Sequence, residues 1–324
     1  ERFVSEIPVG AKLNSHCHII NMFRIKMITE TSAHLKKYFL QTRIHLVGDR
    51  PAIDDIDCFL AFDSKVLCVG ELDGKPIGVA SVFKYDDGYR HGGGYYIEKE
   101  YRRHGYGIQL FNHVVKESKP IANISCYIHS PKIAELYKKY FGSAEIFFSV
   151  ETHDINSVIA LNKLQGISRD SRCHIKKASD VDFETLFNYD KLIFGYNCKK
   201  FLYRWLFSPA SHSCVALNND GSVVGYIVLR KSMVPDKGYK IGPLFCENID
   251  VGKDLIQSVL ETISKDDTSS SILIRCPIDK NPHVRELLTF LHGTMVDEYT
   301  FLSTNGQPKG CIDKWFAVTS IFCG

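Results

Sequence analysis

The sequence predicts a mixed α/β protein built from two similar domains in tandem, 1–165 and 166–324, each a mixed and mostly antiparallel sheet flanked by helices. Three observations predict it. A length of 324 residues exceeds that of most single domains. Two pairs of landmarks recur in the same order at nearly constant spacing: Asp73-Gly74 with Asp220-Gly221, and the segment led by Pro131 with that led by Pro282. Between them, strand-like runs lead into helix-like runs in both halves, with hairpins before and after, as in an α/β sheet.

The elements follow in order. Residues 32–40 are helix-like, and Asp73-Gly74 joins the β-rich runs 66–70 and 79–83 as a hairpin. A strand over 94–98 precedes a helix over 105–117, where Ile108, Leu110, Phe111, Val114 and Val115 form a helical stripe. A strand over 124–128 comes next, then a helix with Ser130 as cap, Pro131 at its first position and Gly142 past its end. A strand over 144–151 closes this half. The pattern breaks over 166–173, where Gly, Ser, Arg and Asp mark the join.

The second half opens with helices over 180–189 and 199–207, then a hairpin at Asp220-Gly221 between 214–217 and 226–229. A strand over 238–245 leads to a helix over 251–264, with Leu255, Ile256, Val259, Leu260 and Ile263 on one stripe. The strand 272–276, a helix capped by Asn281 and begun by Pro282, and closing strands over 295–302 and 315–321 complete it.

Composition excludes several classes. Forty basic and 37 acidic residues give a net charge of +3 with no block of like charge, against a dedicated nucleic-acid binder. No apolar run reaches the roughly 20 residues of a membrane span, and the charged first twenty residues do not resemble a secretory signal. Eleven cysteines, an odd number without a Cys-x-x-Cys pair, read as reduced thiols and a cytoplasmic protein. In Ser15-His16-Cys17-His18, adjacent residues of an extended chain point to opposite sides, so no metal is expected. Asp54, Asp55 and Asp57 are expected to cap and solvate a short helix before residues 58–62.

The chemistry points to one turn. The strand ending near Lys99 runs into Glu100-Tyr101-Arg102-Arg103-His104-Gly105-Tyr106-Gly107 and then into a helix. Strand, glycine-rich turn and helix suit a pyrophosphate: glycines allow close backbone approach, and first-turn N–H groups with the helix dipole meet the anion. The glycine spacing fits neither the dinucleotide fingerprint nor the phosphate loop of nucleotide hydrolases.

The run Tyr96-Ile97-Glu98-Lys99-Glu100-Tyr101-Arg102-Arg103-His104-Gly105-Tyr106-Gly107 resembles the acetyl-CoA signature of GCN5-related N-acetyltransferases, an Arg/Gln-x-x-Gly-x-Gly/Ala motif opening a helix. Residues 130–142, with Leu136-Tyr137 and Phe141-Gly142, are similar to the family's Leu-Tyr-x-x-x-Gly-Phe helix, with the last two residues inverted and Ser130 where Asn is common. The second half resembles the YitH/HolE-type acetyltransferase domain through Asp190-Lys191-Leu192-Ile193-Phe194-Gly195, Lys240-Ile241-Gly242-Pro243-Leu244-Phe245 and Phe316-Ala317-Val318-Thr319-Ser320. There the signature positions fall near 249–253, with one glycine and no Arg, and Leu288 stands in the place of Tyr137.

The resemblance implies an acetyl-CoA-dependent N-acetyltransferase whose amine acceptor, a small molecule, attacks the thioester directly in a ternary complex. No metal is implied. Tyr96 and the Ile97 N–H would hold the acetyl end; Arg102, Arg103, His104, Gly105, Tyr106, Gly107 and Ile108 would wrap the pyrophosphate, with Ser130 alongside. Tyr137 is the acid for the leaving thiolate, since a phenol ordinarily holds its proton to higher pH than a thiol. His91 and Glu98 are two candidates for the base, with ordered water a third. The first half is expected to bind the cofactor and the second to shape the substrate site. A second class stays open, a non-catalytic acyl-CoA sensor or interaction protein on a decayed acetyltransferase fold.

Overall fold

The structure, a computed structural model, describes residues 22–62, 67–167, 173–263 and 270–323. The Ser15–His18 cluster and most of the expected join lie outside the described residues. The first half runs β1 (Phe23–Met27), α1 (Ala33–Val47), α2 (Asp55–Phe59), β2 (Leu67–Leu72), β3 (Lys75–Lys84), β4 (Tyr89–Ile97), α3 (Tyr106–Glu117), β5 (Asn123–Ile128), α4 (Pro131–Phe141), β6 (Glu145–Asn156) and α5 (Ser157–Gln165). The second runs β7 (Cys173–Lys177), α6 (Phe183–Phe194), α7 (Lys199–Phe207), β8 (Ser211–Asn218), β9 (Val223–Lys231), β10 (Tyr239–Cys246), α8 (Ile249–Leu260), β11 (Ser271–Pro277), α9 (His283–Phe290), β12 (Thr294–Ser303) and β13 (Trp315–Ala317).

Local signals explain most of these elements. Asp73 and Gly74 both take positive φ, as do Gly142 at the end of α4 and Gly195 at the end of α6, conformations that favour glycine or a short polar residue. Ser130 caps α4 by accepting from the Lys132 N–H. The expected closing strand over 315–321 is shorter, ending at Ala317. Helix α5, which the sequence reading did not anticipate, is capped by the Asn156 side chain accepting from the Val158 and Ile159 N–H groups.

All strands join one sheet in the order β1-β2-β3-β4-β5-β12-β6-β11-β10-β9-β8-β7, with β13 on β10. One long strand late in each half crosses into the other: β12 pairs β5, β6 pairs β11, and the two crossing strands pair with each other. The sheet therefore continues through the middle of the molecule. Helices α3 and α4 cover one outer face, where Leu110, Phe111, Val114 and Tyr137 pack on β3 and β5. Helices α8 and α9 cover the corresponding outer face of the second half. Between them a shared core mixes first-half residues such as Phe39, Phe59 and Phe83 with second-half residues such as Phe201, Trp205 and Trp315. None of the described helices is long and apolar enough to cross a membrane.

That shared core corrects the reading of the aspartates. Asp55 is fully buried, not a solvated cap. Its carboxylate meets Arg43 at 2.8 Å, Arg230 at 3.0 Å and Lys240 at 3.5 Å. Asp49, equally buried, takes Arg43 at 2.5 Å and Arg275 at 2.8 Å. Asp54 takes the Arg230 guanidinium at 2.6 Å, while Asp57 meets Lys36 at 2.6 Å. Burial opposes both buried carboxylates, but the surrounding cations hold them below the usual carboxylate range. A buried cluster of this kind ties α1 and α2 to β9, β10 and β11 across the two halves.

Candidate active site

The site starts from a parting of two parallel strands. β4 and β5 pair only from Tyr89↔Asn123 to Gly92↔Cys126, yet β4 continues to Ile97 and β5 to Ile128. A register shift against β3 bends β4 at this point, and Gly94 there has φ +62°. A wedge opens on the C-terminal side of Gly92. Within it lies a cavity of about 540 Å³ lined by Gly92, Gly93, Gly94, Tyr95, Arg102, Ser130 and Tyr137, among others.

At the cavity's outer end the chain presents an anion cradle. Gly105 caps α3 with φ +81°, and α3 has neither a capping side chain nor an acid in its first turn. The backbone N–H groups of residues 103–108 find no acceptor among the described residues, the condition in which a helix start binds an anion. Arg102 is held by donation from its Nε to the Ile97 carbonyl at 2.8 Å. Arg103, His104 and Ile108 are exposed around the turn, and Tyr106 packs against Phe23 with centroids 4.9 Å apart. A side chain at Gly107 would begin 2.6 Å from the Tyr95 hydroxyl and 3.4 Å from Ile97, so it would displace the Tyr95 side chain from the turn.

Tyr137 reaches the inner end. Its ring packs edge-on against Phe111 at 6.0 Å, and a side chain at Gly92 would begin 2.7 Å from its hydroxyl. Burial, reinforced by the neighbouring Cys126 thiol, pushes the phenol well above its usual range, so it stays protonated. Burial also pushes the Cys126 thiol up to about 12. Neither a phenolate nor a thiolate nucleophile forms here near neutral pH.

The two base candidates from the sequence do not reach this cavity. His91 is fully buried with Nδ1 2.9 Å from the Ser125 hydroxyl; burial lowers it to about 4, and it is not among the lining residues. Glu98 accepts from the Tyr38 and Tyr96 hydroxyls, each at 3.0 Å, in a separate recess of about 290 Å³ beside α1. Tyr96 and Ile97 continue β4 past the lining residues.

Sequence reasoning expected the second half to shape the substrate site but named none of the residues it places at this cavity. Tyr299 on β12 and Ile321 and Phe322 near the C-terminal end line the cavity together with Tyr127 and His129 of the first half. Among the described residues the buried hydroxyl of Tyr127 has no hydrogen-bond partner. The His129 ring lies tilted against Tyr299 with centroids 4.0 Å apart, and is 3.7 Å from the Asp297 carboxylate. Tyr299 arrives through the strand exchange, and Ile321 and Phe322 through the segment after β13 that packs on Gly93; periodicity carries no signal for either.

The equivalent place in the second half is closed. β10 pairs β11 in parallel only from Tyr239 to Ile241. Beyond it β13 fills the gap, with Leu244↔Ala317 and Phe245↔Trp315 in register and the Val318 N–H donating to the Arg275 carbonyl at 2.9 Å. The start of α8 is also taken: Asn248 accepts from the Asp250 and Val251 N–H groups at 3.1 and 3.0 Å, and Asp250 adds a negative charge. Among the described residues no cluster is arranged to hold a metal ion.

Comparison with known proteins gives matches in both halves. A model of the acetyltransferase (GNAT) family matches residues 33–142, and one of an acetyltransferase (GNAT) domain matches residues 186–316. Among solved structures, a protein of Pyrococcus horikoshii assigned as an acetyltransferase superposes with TM-score 0.72 at 14% identity, over 97% of this chain and 100% of that one. A tandem GNAT protein from the clavulanic acid biosynthesis pathway gives 0.63 at 12% identity, over 88% of this chain and 99% of the other. A GCN5-related N-acetyltransferase from Sphaerobacter thermophilus gives 0.56 at 12% identity, over 92% and 97%. Comparison with curated proteins gives no match.

Proposed function

The chain belongs to the acetyltransferase (GNAT) family, with one such domain in each half, and on that premise we propose that it transfers an acetyl group from acetyl-CoA to the amine of a small molecule, using the first half as its one cofactor site. The contrast between the two wedges carries this reading: one is open with free N–H groups at its helix start, the other filled by β13 and capped by Asn248. The residues fit the cosubstrate, whose thioester supplies the activated acyl group.

The N–H groups of residues 103–108 bind the pyrophosphate, with Arg102 and Arg103 adding positive charge. Backbone groups of the bent segment around Gly94 stabilise the carbonyl oxygen as charge develops. Tyr137 gives its proton to the sulfur as the thiolate leaves. The high-lying Cys126 thiol supports direct attack by the amine, without an acyl-cysteine intermediate. His129, the imidazole on the cavity wall, takes the amine's proton, with the Asp297 carboxylate 3.7 Å away to favour the charge it gains. Second-half residues Tyr299, Ile321 and Phe322 form the acceptor wall.

Release of free thiol from acetyl-CoA across a panel of small amines, amino sugars and amino acids tests the proposal. It predicts amine-dependent release with matching amide product. Tight acetyl-CoA binding without turnover across the panel would favour a sensor instead.

A further inference from the structure

The recess of about 290 Å³ beside α1 is lined by Tyr38, Gln41, Thr42 and His45 of that helix together with Tyr96 and Glu98, and its size is near the lower end for ligand pockets. The four helical residues fall at i, i+3, i+4 and i+7, one face of α1. It shares no lining residue with the cavity at Tyr137. Phe39, next to Tyr38, instead covers β4 at Gly94, where a side chain would begin 3.0 Å from its ring.

Glu98 gives the recess a negative charge. Its carboxylate accepts one phenol on each oxygen, Tyr38 on Oε1 and Tyr96 on Oε2, both at 3.0 Å. Burial and the bonds to Glu98 push both phenols up, so they stay protonated and keep donating. A carboxylate offers about four acceptor sites, which leaves one on each oxygen. Among the described residues no lysine or arginine pairs with it. Arg102, whose guanidinium lies over the Tyr96 ring at 5.3 Å, gives its Nε to the Ile97 carbonyl at 2.8 Å.

We infer that this recess binds a primary aliphatic ammonium, its N–H groups donating to the Glu98 carboxylate and its carbons lying against the Tyr38 and Tyr96 rings. An ammonium only donates and a carboxylate only accepts, so the pair is complementary, and phenol rings attract a cation further. A metal ion would need more ligands than Glu98 alone, and no such group exists among the described residues. The site does not depend on the reading of the larger cavity as the acyl-CoA site.

Backbone-amide NMR of the full-length chain, titrated at neutral pH with n-butylamine and with 1-butanol, tests this without acyl-CoA. The amine should give saturable shifts centred on residues 38–45 and 96–98, and the alcohol none. Glu98→Gln should weaken the amine at least about tenfold, the usual worth of a hydrogen bond to a charged group. Gln41→Arg brings a tethered cation to Glu98 from the exposed side of α1 and should weaken it similarly with Glu98 and both phenols in place. Melting curves show that each variant is folded. The inference is overturned if the amine gives no saturable shift at these residues or if 1-butanol binds as tightly. It is equally overturned if amine affinity is unchanged in either folded variant, which would place the ammonium elsewhere.

Discussion

Replacement of Tyr137 by Phe separates catalysis from packing at a single oxygen atom. The ring keeps its contacts with Phe111 and Phe141, at centroid distances of 6.0 and 5.6 Å. What disappears is a buried hydroxyl beside Cys126, whose loss costs about 1 kcal/mol of stability by general hydrogen-bond energetics. The catalytic loss is larger. A general acid contributes at least roughly 10²-fold, about 2.7 kcal/mol of barrier, and here burial keeps the phenol protonated at any working pH. Single-turnover thiol release under saturating acetyl-CoA and amine should therefore fall about a hundredfold or more, while the dissociation constant of acetyl-CoA stays within about twofold. The melting curve should move only slightly. Parent-rate chemistry in the Phe variant would remove Tyr137 from the mechanism and leave it a packing residue.

Two further perturbations address the frame that holds the site. Asp55→Asn leaves Arg43, Arg230 and Lys240 short of a carboxylate in the buried seam; breaking such a cluster costs about 3–5 kcal/mol. Urea unfolding should show one transition displaced as a whole, because both halves share a core, and two transitions with one unmoved would refute that coupling. His91 has its protonation held down to about 4 by burial, against 6.5 when exposed. Stability from this group is thus complete above pH 6.5 and is lost as pH falls toward 4, by about 3 kcal/mol in all. His91→Asn should shrink the fall in melting temperature between pH 7 and pH 4.5, and an unchanged fall would assign the acid sensitivity elsewhere.

How much of this was legible in the sequence depended on how local the cause was. The hairpin at Asp73-Gly74, the Pro-led helix α4 and the glycine turn before α3 each follow from dihedral demands within a few residues, and each stands close to its expected place. Tyr137, Arg102 and Ser130, all named from the sequence, line the same cavity. The exchange of β6 and β12 was not legible, because strand period gives the face of a residue and not the partner of its strand. For the same reason Tyr299 escaped notice; Phe322 did so because it lies in a turn after the last strand, and Asp55 read as a surface cap although its counter-charges include Arg230 on β9 and Lys240 on β10. His91 failed as a base for a different reason. Its position in β4 was read correctly, but the alternation of the strand turned the ring to Ser125 and away from the cavity.

The central claim is that one half binds the cosubstrate and the other cannot. Calorimetric titration of the whole chain with acetyl-CoA measures it directly, compared with the Gly107→Glu variant, whose side chain would occupy the space against Tyr95. The account predicts one site per chain in the parent and none in the variant. Two equivalent sites in the parent, or a single site that survives Gly107→Glu, would place acetyl-CoA in the second half and contradict it.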